Sequence, residues 1–151
     1  MASGWFSMSL HALAVLAQSK EGYTSCYIAG SVNTNAVFLR RVLARLVKAG
    51  IIETREGRDG GYRLAKPANQ LTLAEVYKAM ELENALAPSP AEPNPACPVG
   101  AGIALAFDEI AIEVEKSIIQ TLEQYTVEQI ADRAIQFALQ KEVSETGWHD
   151  N

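Results

Sequence analysis

The chain has 151 residues, 48% of them hydrophobic and 21% charged, a formal charge of −5 and two cysteines. That suffices for one soluble domain, or a small domain with an appendage, resting on a packed core; Cys26 and Cys97 are too few for a disulfide framework or a four-thiolate metal site. No apolar run approaches the roughly 20 residues of a membrane span, and the first residues lack the basic start and unbroken apolar core of a secretion signal, so a cytoplasmic address is expected.

The net charge averages two opposite halves. Residues 1–70 carry nine Lys and Arg against four Asp and Glu, whereas residues 71–151 carry four against fourteen. A basic half on an acidic chain suits a local polyanion site, because affinity for phosphate depends on the field at the contact face.

From Phe6 to Gln18 the apolar residues Met8, Leu10, Leu13, Ala14 and Ala17 recur at helical spacing and predict a largely buried first helix. Thr24 and Ser25 offer hydroxyl caps to a short second helix, and Val32-Asn33-Thr34-Asn35 reads as a polar turn. From Ala36 to Lys48, Leu39, Val42, Leu43, Leu46 and Val47 form an apolar stripe closed by Gly50, with Arg41, Arg45 and Lys48 opposite and Arg40 at the flank. The runs 51–55 and 61–64 are β-like and joined by Glu56-Gly57-Arg58-Asp59-Gly60, a glycine-rich tip that carries an arginine.

Thr72 and Glu75 stand at capping-box spacing and open a helix that fades near Asn84. Five of the six prolines lie between Pro88 and Pro98, which predicts an extended linker. From about Gly100 to Gln124, Ile103, Phe107, Ile110, Val114, Ile118 and Leu122 recur every three or four residues, with Leu105, Ile112 and Ile119 on another side. A helix that is apolar on two sides needs two packing partners, and a second subunit is the economical source of one. Thr126 and Gln129 form a further capping-box pair for a last helix to about Lys141. The resulting division is a head over 1–86, a linker over 87–98, dimerisation helices over 99–143 and a tail over 144–151, mainly α with a small β wing.

Two helices joined by a tight turn, the second with a cationic face, followed by a basic hairpin, are the parts of a winged helix-turn-helix. The major groove of DNA accepts one α-helix, whose first turns approach base edges while outward cations meet phosphates; a wing can follow the backbone or place an arginine in the minor groove. The candidate DNA-contacting residues are Asn33, Thr34, Asn35, Val37, Arg40, Arg41, Arg45, Lys48, Arg58 and Tyr62. Tyr62 has a second reading as hydrophobic support under the hairpin. No phosphate-cradling loop, nucleophile elbow or paired-carboxylate motif is present, and His11 and His149 have no companion at ligand spacing, so neither catalysis nor a metal is expected.

The segments His11–Ala17, Ile28–Leu46, Lys48–Ile52, Gly57–Pro67, Leu71–Tyr77 and Asn94–Gly100 together resemble the Rrf2 family of bacterial winged-helix regulators, which includes IscR, NsrR and CymR, and most of all its YwnA-like branch. The resemblance implies a homodimer crossed through the long helix, with two heads on a palindromic operator, most simply as a repressor. It places Arg40 and Arg41 on the recognition helix and Arg58 and Tyr62 in the wing. Many relatives hold an iron–sulfur cluster through three linker cysteines; only Cys97 stands there, so no cofactor is expected. Cys97 reads either as a small apolar plug at the junction of linker and helix or as a redox-sensing thiol, and Cys26 as buried filler. Two alternatives to a plain repressor remain: a thiol-based sensor using Cys97, and a winged-helix module that docks a protein rather than DNA.

Overall fold

A computed structural model describes residues 4–58, 60–81 and 85–146, with side-chain surroundings as far as Glu142. Asp59 at the hairpin tip, residues 82–84 and most of the expected tail, including His149, lie outside the described residues. Among the described residues six α-helices and one hairpin follow in the expected order: α1 (Trp5–Leu16), α2 (Ser25–Val32), α3 (Ala36–Lys48), β1 (Ile52–Arg55), β2 (Gly61–Leu64), α4 (Leu73–Ala79), α5 (Pro98–Leu122) and α6 (Val127–Thr146).

Local chemistry sets most boundaries. The Thr24 hydroxyl accepts from the Tyr27 N–H at the start of α2, and Asn33 ends that helix at φ 57° in the left-handed region, which Asn tolerates better than most residues. The helix α3 ends in a Schellman motif: the N–H of Ile51 reaches Leu46 O and that of Gly50 reaches Val47 O, with Gly50 at φ 74°. Reciprocal capping boxes, Thr72 with Glu75 and Thr126 with Gln129, start α4 and α6. Pro98 occupies the first turn of α5, where its missing N–H costs no helical hydrogen bond. The helix expected to fade near Asn84 stops sooner, at Ala79, and Glu81 beyond it turns to φ 48°.

The core draws on α1 to α4 and on the first turns of α6. Leu13 and Leu16 of α1, Ile28 of α2, Leu39, Val42, Leu43 and Leu46 of α3, and Val76 of α4 are buried, and so is Val127 at the start of α6. Val127 reaches that core because the turn before α6 is paired to the head: Leu73 N–H donates to Tyr125 O and Val127 N–H to Leu71 O, both at 2.9 Å, around a bridge between Thr72 and Thr126. The helix α5 has no buried residue along its 25 positions. One side meets α4, where the Tyr77 hydroxyl donates to Glu115 Oε1 at 2.7 Å. Elsewhere Ile103, Leu105, Ile110 and Ile112 stand 48–72% exposed.

Candidate nucleic-acid interface

The turn between α2 and α3 is fixed by its own side chains. Asn35 Oδ1 accepts from the N–H groups of Val37 at 2.7 Å and Phe38 at 3.3 Å, and Asn33 and Thr34 N–H both return to Ala29 O. This capping directs α3 away from α2 while the apolar stripe of α3 is buried. The opposite side of α3 is a continuous exposed strip of Val37, Arg40, Arg41, Ala44 and Lys48, at the spacing i, i+3, i+4, i+7 and i+11. Ion pairs join Arg63 to Glu53 and Lys66 to Glu75, and among the described residues no carboxylate pairs with Arg40, Arg41 or Lys48.

Arg45 departs from the expected array. Its guanidinium lies over the Trp5 ring, 4.4 Å from the centroid, and donates to the main-chain carbonyl of Met80. One helical turn beyond Arg41, position 45 has rotated toward the flank that carries Phe38 and Val42, so its side chain joins α1 and the end of α4 to α3. It is a structural arginine, and the outward strip runs through Ala44 instead.

The hairpin is antiparallel with Glu53 opposite Arg63 and Thr54 opposite Tyr62. Arg58 is exposed at the tip, beside Gly57 at φ 121°. The second strand is anchored on its other edge near the turn, where Tyr23 N–H donates to Tyr62 O at 3.0 Å and Tyr62 N–H to Tyr23 O at 2.9 Å. The backbones approach so closely that a Cβ on Gly22 would stand 1.9 Å from Tyr62 O, and one on Gly61 would stand 2.3 Å from Tyr23 O. Tyr62 is half-buried and packed against the core. Arg55, the last residue of β1 before the turn, donates to the carbonyl of Glu21.

Sequence reasoning passed over Tyr27. Its ring stacks on Tyr23 with centroids 4.3 Å apart and planes 10° apart, yet the residue is 57% exposed. Nothing in the local sequence marked it, because its place beside the wing is set by the bridge between Tyr23 and Tyr62.

Both cysteines contradict the filler readings. Cys26 is exposed because Ile28, two positions and about 200° of helix further on, takes the inward place. Cys97 is exposed at the N-cap of α5 rather than plugging a junction, and the backbone N–H groups of Gly100 and Val99 hold its thiol below the ordinary value. Among the described residues no three His, Cys, Asp or Glu side chains gather as a metal site, and no helix is long and apolar enough to cross a membrane.

Comparison with known proteins matches this arrangement. YwnA of Bacillus subtilis, described as an HTH-type transcriptional regulator, is 36% identical over 118 residues, which span 78% of this chain and 87% of YwnA. NsrR of Shouchella clausii, also an HTH-type transcriptional regulator, is 34% identical over 98 residues, or 61% of this chain and 60% of NsrR. A crystal structure described as that of a DNA binding protein superposes with a TM-score of 0.68 at 30% identity, covering 83% of this chain and 97% of that one. IscR of T. potens shares the fold with a TM-score of 0.62 at 23% identity, covering 85% of each chain. The profile of the Rrf2 family, described as iron-dependent transcriptional regulator, matches residues 3–133, and the chain is therefore a member of the Rrf2 family of transcriptional regulators, not an enzyme.

Proposed function

We propose that this chain is a homodimeric, sequence-specific DNA-binding regulator that acts as a repressor. The observation that carries the reading is the exposed strip of α3: one apolar side chain, Val37, on the first turn, then Arg40, Arg41 and Lys48 with no internal counter-charge among the described residues. With α3 in the major groove, Val37 suits a thymine methyl, Arg40 and Arg41 reach base edges or phosphates, and Lys48 at the last turn meets phosphate. Asn33 and Thr34 flank the entry to α3, and Asn35 serves first as its cap. Arg58 at the wing tip is placed for the adjacent minor groove, whose potential attracts a guanidinium.

The apolar residues of α5 supply the second copy. A 25-residue helix is about 37 Å long, and Ile103 and Ile110 are exposed while Phe107, Val114, Ile118 and Leu122 are half-buried on the seam expected from the sequence. Pairing two such helices covers these side chains and sets two heads on successive major grooves, about 34–36 Å apart. A dimer spread over that length excludes polymerase from the duplex beneath it, which is the simplest regulatory outcome.

The iron in the family description does not fit these residues. The chain has two cysteines, on α2 and at the N-cap of α5, and only Cys97 stands in the linker region. A thiol-sensing role is the second reading, favoured by the exposure of Cys97 and the N–H groups that stabilise its thiolate. Duplexes selected from a random pool test the main reading: a two-fold symmetric consensus is expected, and failure to enrich any duplex overturns it in favour of a protein-docking module. Operator affinity of Cys97→Ser under reducing and oxidising conditions, compared with the parent, decides the second.

A further inference from the structure

We propose that the hydroxyl of Tyr27 is a DNA-backbone contact, donated to the phosphate strand that runs between the groove entered by α3 and the groove reached by the wing. The inference rests on the DNA-binding reading above and extends it to a residue outside the cationic array.

In a helix-turn-helix the first helix crosses the backbone while the second occupies the major groove. Here α2 is the first helix, and the peptide leading into it is hydrogen-bonded to the wing, since Tyr23 pairs with Tyr62 through both of its main-chain groups. The segment Tyr23–Tyr27 therefore bridges the two DNA-reading parts, and a duplex engaged by both has its intervening phosphates over that segment. Tyr27 is the large side chain there that the fold leaves uncovered, at 57% exposure.

Its ring is also held in place. It stacks nearly parallel on Tyr23 at 4.3 Å, and Tyr23 is fixed where Gly22 and Gly61 allow backbones to approach more closely than any Cβ permits. A phenol so positioned offers an O–H donor with little rotamer freedom left to lose. The first turn of α2 carries no acidic residue to repel a phosphate. Thr24 is already committed to capping, accepting from Tyr27 N–H, and beside the exposed thiol of Cys26, a weak donor, the phenol is the strong exposed donor at this bridge.

The test uses the full chain and duplexes selected from a random pool by the unmodified protein. Tyr27→Phe removes the hydroxyl and keeps the stack, and is expected to weaken binding about tenfold per half-site, or about a hundredfold for a dimer on two, the usual scale for a hydrogen bond to an ionised group. The loss should be equal on selected and scrambled duplexes, because a phosphate contact carries no base information. Neutral methylphosphonate placed singly along the duplex should then reveal one position per half-site that weakens the parent but not the variant. Affinity within twofold of the parent, or a methylphosphonate pattern unchanged by the substitution, overturns the assignment of Tyr27 alone. If the parent enriches no duplex, the DNA-binding reading itself has failed and takes this one with it.

Discussion

Arg41 and Arg45 lie one turn apart on α3, and truncating each to alanine should have opposite consequences. Arg45 donates a charged hydrogen bond to the carbonyl of buried Met80 and lies over Trp5. The hydrogen bond contributes about 1.5–3 kcal/mol and the cation–π contact about 0.5–1 kcal/mol. Water reaches part of this half-buried site in the variant, so the net loss should be about 2 kcal/mol. For a chain of this size each kcal/mol displaces Tm by about 2–4 °C, which places Arg45→Ala about 4–8 °C below the parent, with the salt dependence of DNA binding unchanged.

Arg41→Ala should leave Tm within about 1 °C, as befits an exposed position. It should instead reduce the slope of log affinity against log salt by about 0.9 per protomer, or about 1.8 for a dimer on two half-sites. Thermal melts followed by circular dichroism and anisotropy titrations at four salt concentrations read both quantities. The division between structural and DNA-facing arginines is refuted if Arg45→Ala melts with the parent and loses salt slope, or if Arg41→Ala does neither.

Gly22→Ala places a methyl carbon 1.9 Å from Tyr62 O at a φ of +81°, so a loss of about 3 kcal/mol or more is expected, with faster amide exchange at Tyr23 and Tyr62; Gly30→Ala, in open helix, should be neutral or slightly stabilising, and equal melting of the two would remove the close approach from the account. Ile110→Arg, at an exposed position of α5, should convert a dimer to a monomer in sedimentation velocity; an undisturbed dimer would place the seam elsewhere. The Tyr77 phenol is pushed up to about 12 by burial and by its bond to Glu115, so the protonated form is favoured by folding. Its contribution is full below the unfolded value near 10 and is lost as pH rises toward 12; Tyr77→Phe should flatten the fall of Tm over that interval, and parallel curves would rule the coupling out.

Features governed by neighbours in the chain were legible in the sequence. The bounds of α3, the caps at Thr24, Thr72 and Thr126, and the strands on either side of Gly57 follow from patterns a few residues long. What escaped depends on groups far apart along the chain. A helical wheel puts Arg45 on the polar side, but the Trp5 ring and the Met80 carbonyl that hold it come from the two ends of the head. Cys26 among apolar letters looks internal until Ile28 takes the inward place. Tyr27 carries no periodic signal; its setting exists only because the wing folds back onto Tyr23.

The pairing of Leu71 and Leu73 with Tyr125 and Val127 has a mechanical consequence. The polypeptide leaves the head beyond α4, runs along the long helix and is hydrogen-bonded back to the residues that open α4, so the proline stretch lies inside a closed circuit. A signal that loosens it does not free the head to swing. The hydrogen-bonded joint ahead of α4 and α6, and not the proline stretch, is what fastens the last helix to the head.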